Sequence, residues 1–152
     1  MKQILLIFLL FSNLSIACSC SDVPPMEKAL DQADVVVTGK VLSRESLSKK
    51  DGPLSDYLSS QVKYKILITT IHKGKVKKGI LTILTGPSAG GDCGYLFIIG
   101  NTYTIYAYYH PNIVKEKEIN KFITTSVCTR TDKYKKNTVA KIDKYCKSKG
   151  YS

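Results

Sequence analysis

The sequence has little that would hold it in a membrane or make it a hydrolase. Its unbroken apolar run, Ile4 to Phe11, has eight residues, where a spanning helix needs ~20. No later segment is more apolar, so no transmembrane segment is expected. There is no His-Glu-x-x-His and no paired-carboxylate pattern, which removes two common hydrolytic arrangements. An enzyme is not expected, and no cofactor is implied. Acidic residues are scarce, 12 Asp and Glu against 23 Lys and Arg, for a net charge of +11. The five cysteines include no Cys-x-x-Cys pair. A zinc site built from Cys18, Cys20, Cys93 and Cys128 is therefore not expected. No repeat and no low-complexity tract appears beyond a Lys-rich tail.

The N-terminus is informative in a positive sense. Lys2 precedes the apolar run, and Ser15 and Ala17 are small residues at the −3 and −1 positions of a signal-peptidase site. Residues 1–17 read as a signal peptide and 18–152 as one domain of 135 residues, with a formal charge of +10. Secretion to an extracellular, oxidising space follows, and there cysteines form disulfides. The alternative is a membrane-anchored lipoprotein lipidated on Cys18, with Leu14 at −4. A cut after Ala17 would leave Cys18 with a free α-amine. Cys18 and Cys20 also read simply as structural staples, as most cysteines in secreted domains are.

The remainder reads as mainly β. Pro24-Pro25 opens a short helix over Met26–Leu30. Strands are expected over Asp34–Ser43, Val62–Ile71, Ile80–Thr85, Thr102–Tyr109 and Lys121–Cys128. Arg44–Ser60 reads as a polar loop, Lys73-Gly74-Lys75 as a turn, and Gly86–Gly94 as a glycine-rich loop without the Lys-Ser/Thr of a phosphate-binding loop. From Asp132 the period becomes helical through Val139, Ile142 and Cys146, with Thr131 or Asp132 as cap and Gly150 as stop. Five strands and a closing helix fit a small antiparallel barrel, commonly the five-stranded oligonucleotide-binding type. Periodicity alone also allows a sandwich, and spacing alone does not choose the cysteine pairs.

Cys18-Ser19-Cys20-Ser21, a short helix, and Ala33-Asp34-Val35-Val36-Val37-Thr38-Gly39-Lys40-Val41 resemble the start of the tissue inhibitors of metalloproteinases. Asp92-Cys93-Gly94, Gly100-Asn101-Thr102-Tyr103 and Thr125-Ser126-Val127-Cys128 follow in that family's order. The resemblance covers residues 18–130 and the family's N-terminal inhibitory domain. It implies a netrin-like barrel with disulfides Cys18–Cys93 and Cys20–Cys128. It also implies a zinc metalloprotease as partner, with the Cys18 amine and carbonyl chelating that protease's zinc. Protease contacts would come from Ser19, Cys20, Ser21 and Asp22, and from Ser88, Ala89, Gly91, Asp92 and Cys93. Two departures stand out: the early helix carries no cysteine, and Cys146 is left over. A netrin-like binding module without inhibitory action is the competing expectation.

Lys73, Lys75, Lys77 and Lys78 cluster at one turn, and seven lysines from Lys133 to Lys149 load the tail. They read as a solvated face or as attraction to anionic cell surfaces or polysaccharides. Tyr103, Tyr106, Tyr108 and Tyr109 share one strand of a barrel type that often binds nucleic acid. Export argues against nucleic acid as partner. His72 and His110 are isolated and read as surface or strand-end residues rather than ligands.

Overall fold

Strand β1 (Val35–Ser46) organises the fold because both of its faces are covered. Val35 and Val37 point into one buried cluster and Val36 into another. This is why Val35-Val36-Val37 is uninterrupted rather than alternating with polar residues. The computed structural model describes residues 20, 22–47, 61–86, 93–109 and 123–151. Their order is α1 (Met26–Gln32), β1, β2 (Val62–Lys73), β3 (Ile80–Thr85), β4 (Thr102–Tyr109), β5 (Ile123–Thr124), β6 (Asp132–Lys133) and α2 (Lys136–Lys149).

The strands run in the order β1-β2-β3-β5-β4, and β4 returns to pair with β1. All of these pairs are antiparallel except β3 with β5. The closed five-stranded barrel of the oligonucleotide-binding type results, with one short helix before it and one helix after it. β1 serves two neighbours at once. Val35 to Lys40 pair with Ala107 to Thr102 on β4, while Val36 to Ser46 pair with β2. Register shifts along the β1–β2 ladder supply the bend that closure needs. Gly39 lies at one of them. A Cβ there would stand 2.5 Å from Ile66 Cγ2 and 2.8 Å from the Leu67 carbonyl oxygen, so the two backbones approach this closely only without a side chain.

The barrel interior holds Val41, Tyr64, Ile66, Ile83, Tyr103, Ile105 and Ile123, among others. Phe97 closes one end, with ring centroids 5.0 Å from both Tyr64 and Tyr103. A second core lies outside the barrel wall. There Ala29, Leu30 and Ala33 of the α1 region meet Val36, Tyr106, Ile142 and Cys146. Asp34 closes the top of the β1–β4 ladder: its Oδ2 accepts from Tyr109 N at 2.9 Å.

Several boundaries differ from those the sequence suggests. Arg44 to Ser46 extend β1 rather than opening a loop, paired with Tyr64, Lys63 and Val62. The described part of β5 is only Ile123–Thr124, because Ser126 to Thr129 turn the chain, with Thr129 N donating to Ser126 O at 3.2 Å. Lys121 lies outside the described residues. Helix α2 is capped by neither Thr131 nor Asp132; its N-cap is Lys135. Thr131 is occupied elsewhere, its Oγ1 accepting from Tyr106 N at 3.0 Å, and Asp132 pairs with Thr104 in β6. Gly150 does end the helix, in the left-handed conformation with φ 69°.

His72 is at a strand end as anticipated, but it is not on the surface: it is 1% exposed. Its Nδ1 donates to Asp143 Oδ1 of α2 at 2.7 Å, and its Nε2 lies 2.8 Å from Thr38 Oγ1 on β1. The imidazole therefore rivets α2 to the barrel wall. Replacing His72 by Leu keeps the volume and leaves two polar groups unpartnered, one of them fully buried. A loss of ~2–4 kcal/mol in urea unfolding is expected. Asp143→Asn retains an acceptor oxygen and should lose less than half as much.

Candidate functional site

Three cysteines distant in sequence converge at one edge of the barrel. Cys20, ahead of α1, is bonded to Cys128 in the turn after β5, with S–S 2.02 Å and Cα–Cα 5.3 Å. Val127 N, next to that bridge, donates to Cys93 O at 2.9 Å. Cys93 is itself disulfide-bonded. It adopts φ 52°, the left-handed region that costs a residue with a Cβ ~1 kcal/mol or more. The bonded neighbours at this point hold it there. Arg130 Nη1 donates to Pro24 O at 2.9 Å and so fixes the segment between Cys20 and α1 a second time.

Beneath the edge lies a knot of threonines. Thr125 Oγ1 donates to Tyr106 O at 2.9 Å, and the hydroxyls of Thr125, Thr129 and Thr131 lie 2.9–3.0 Å from one another. Thr129 Oγ1 is also 2.8 Å from Ser126 O. These bonds shape the Ser126–Thr131 turn that presents Cys128. The spacing Thr125-x-x-x-Thr129-x-Thr131 was the available signal, and composition alone gives it no meaning.

Of the residues the sequence singles out, Cys20, Asp22, Cys93 and Cys128 are described, and Asp22 is exposed. Cys18, Ser19, Ser21, Ser88, Ala89, Gly91 and Asp92 lie outside the described residues, as does the expected Cys18–Cys93 pairing. Two residues that sequence reasoning passed over belong beside this edge. Val23 and Val127 flank the Cys20–Cys128 bridge and are 49% and 41% exposed.

The loop before Cys93 also spells Gly-x-Ser-x-Gly, as Gly86-Pro87-Ser88-Ala89-Gly90. In serine hydrolases that pattern forms a turn between a strand and a helix. Here β3 precedes the loop and residues 93–98 run as irregular chain toward β4, while residues 87–92 lie outside the described residues.

Cys146 is free and buried, and burial pushes its thiol pKa up, which makes it a poor nucleophile. Tyr103 and Tyr106 are buried in the two cores rather than presented for stacking. Burial also pushes the Tyr106 phenol up to about 12. Lys73 leaves the charge cluster for a structural task, donating to Leu30 O at 2.7 Å and Asp31 O at 2.9 Å. Lys75, Lys77 and Lys78 remain exposed. His110 lies outside the described residues. Among the described residues no cluster of three His, Cys, Asp or Glu suits a metal ion, and no helix is long and apolar enough to cross a membrane.

Fold and edge together define a small disulfide-braced β-barrel with a pinned N-terminal segment. No family model matches the chain, and no curated protein matches it.

Proposed function

We propose that this chain is a secreted, netrin-like inhibitor of zinc metalloendopeptidases that acts through the N-terminus of its mature form. Residues 1–17 are removed, and Cys18 pairs with Cys93. The Cys18 amine and carbonyl then replace the water on the target's catalytic zinc. Ser19, Cys20, Ser21 and Asp22 fill the cleft beside the metal, and the Ser88–Cys93 loop contacts its rim.

The observation that carries this reading is the clamp: Cys20 locked to Cys128, with Cys93 held against Val127. It fixes the chain two residues after Cys18 and brings a second bonded cysteine to the same edge. A terminus immobilised in advance loses little entropy on docking. Exposed Val23 and Val127 add apolar contact area beside it. The cysteine count bears on the lipoprotein alternative. A lipidated Cys18 would leave Cys146 as the partner of Cys93, whereas Cys146 is free in the outer core. The exposed lysines of the β2–β3 turn suit a secondary attraction to anionic cell surfaces or polysaccharides.

The test combines intact mass with inhibition. The exported protein is expected to have the mass of residues 18–152 without lipid and with two disulfides. It is expected to inhibit at least one enzyme of a zinc-metalloendopeptidase panel in one-to-one stoichiometry. A diacylglycerol adduct on Cys18 would falsify the mechanism.

A further inference from the structure

Helices α1 and α2 pack on the barrel wall over Val36 and Tyr106, and α2 reaches β2 through His72. Nearer the start of β2 the outer face of the sheet is open to solvent. There the pairings set three side chains in a row across β1, β2 and β3: Lys40 pairs with Leu67, and Leu67 with Ile80. Paired residues present their side chains to the same face. Leu67 and Ile80 are 41% and 61% exposed, and Leu42, further along β1, is 40% exposed. Lys65 lies two residues before Leu67, on the same face, and both it and Lys40 are exposed.

The charge around these aliphatic groups has one sign. From Val62 to Thr85 the chain carries six lysines and no acidic residue. Two of the six have protein partners: Lys63 bonds to Glu45 at 2.7 Å, and Lys73 donates to the carbonyls of α1. Lys65, Lys75, Lys77 and Lys78 are exposed. Beside Ile80 a space of about 360 Å³ is lined by Val76, Leu81, Ile123 and Ile80 itself. Among the described residues its charged lining is Lys75 and Lys77.

Lysines alone make an ordinary solvated surface. The aliphatic side chains between them select the partner. A sulfated polysaccharide would engage the lysines and leave Leu42, Leu67 and Ile80 in water. The surface of a bilayer takes both kinds of group. Its acyl boundary accepts the aliphatic side chains, and its anionic headgroups accept ammonium groups carried on flexible stems.

We propose that this face of β1, β2 and β3 docks on a bilayer rich in anionic lipid. Ile80 and Leu67 enter the acyl boundary with Leu42 beside them, while Lys40, Lys65, Lys75 and Lys77 meet the headgroup phosphates. The attachment is peripheral and reversible, since three aliphatic side chains fall far short of the ~20 apolar residues of a spanning helix. It narrows the anionic-surface attraction proposed above to a lipid surface. It uses no group of the zinc-chelating edge, so vesicle binding and protease inhibition can fail separately.

Co-sedimentation of the mature, disulfide-bonded, lipid-free protein with vesicles tests it. The probes are vesicles of equal parts phosphatidylcholine and phosphatidylglycerol, vesicles of phosphatidylcholine alone, and soluble heparin. Binding to the anionic vesicles is expected, about tenfold or more above binding to the neutral ones. Leu67→Gln with Ile80→Gln should weaken it about tenfold or more and leave heparin binding and the circular dichroism spectrum unchanged. Lys75→Gln with Lys77→Gln should weaken it by a similar factor. Lys141→Gln with Lys144→Gln removes the same charge from the exposed side of α2 and should leave it within about twofold of the parent. The chain has no tryptophan, so Ile80→Trp supplies a single reporter. Its emission should shift to the blue on anionic vesicles and not on heparin, while that of Lys144→Trp should not move. Binding to heparin without binding to anionic vesicles would assign the face to a polysaccharide and overturn the proposal. Unchanged vesicle binding in Leu67→Gln with Ile80→Gln, an unshifted Ile80→Trp emission, or an equal loss in Lys141→Gln with Lys144→Gln would each overturn it as well.

Discussion

One alanine inserted ahead of Cys18 is expected to weaken protease inhibition at least 1,000-fold while leaving the melting temperature unchanged. The proposed chelator is an α-amine, which offers zinc a lone pair once it is neutral. A free terminal amine titrates near ~7.7, so a substantial fraction is neutral at physiological pH, and the metal draws the rest. Acylating that nitrogen into a peptide bond delocalises the lone pair into the carbonyl. The inserted residue also occupies the space that the zinc would take. Central, desolvated contacts of this kind account for ~4 kcal/mol or more of an interface, and every 1.4 kcal/mol is about tenfold in affinity. The barrel has no stake in that nitrogen: its cores are assembled from residues 29 onward. Inhibition constants and melting curves of the mass-verified variant check both halves. Inhibition within tenfold of the parent would mean that the amine is not the zinc ligand.

How much of this was legible in the residues depends on where each feature gets its energy. Strands β3 and β4 begin and end where the sequence indicates, because Gly and Asn turn signals bracket apolar runs there. In β2 the burial of Val62, Tyr64, Ile66 and Ile68 follows the period of two. The end of β1 was hidden because Arg44-Glu45-Ser46 is polar. Those residues are in a strand by virtue of backbone bonds to β2, which side-chain character does not report. The burial of His72, a strand-end residue as expected, was hidden for a similar reason. The residue lies near lysines in sequence, and the Asp143 that makes its burial tolerable comes 71 residues later. Helix α2 lost its anticipated cap because Thr131 is used by Tyr106 N, a contact set by the barrel and not by the helix. The burial of Thr104 and Tyr106 was equally silent. Alternation places these side chains outside the barrel, but only the assembled fold reveals that the outside is covered there. The Cys20–Cys128 bond is the pairing that the resemblance implied, whereas spacing alone left the cysteine pairs open.

Removing the Cys20–Cys128 bridge by substituting Ser for both cysteines is expected to cost ~4 kcal/mol. The bond joins positions 108 residues apart; with the proposed Cys18–Cys93 bridge in place the loop it closes in the unfolded chain shrinks to ~40 residues, which still removes ~4 kcal/mol of chain entropy. A domain of this size is stable by ~5–15 kcal/mol in all. A fall in melting temperature of ~15 °C follows, measurable by circular dichroism. The barrel itself should survive, since neither cysteine belongs to its interior cluster. Function should suffer through a different term. Without the bridge the segment ahead of α1 is held chiefly by Arg130 to Pro24 O, and a terminus that must be ordered on docking loses affinity. Each immobilised rotamer-rich side chain adds ~0.5–1.5 kcal/mol to that cost. Inhibition by the refolded double variant, assayed well below its melting temperature, should therefore weaken ~10–100-fold, less than with the alanine insertion. The two variants separate the roles: one keeps the fold and loses the ligand atom, the other keeps the ligand atom and loses its anchorage. A melting temperature within 3 °C of the parent would show that packing of α1 and the Arg130 contact, rather than the bridge, hold the N-terminal segment.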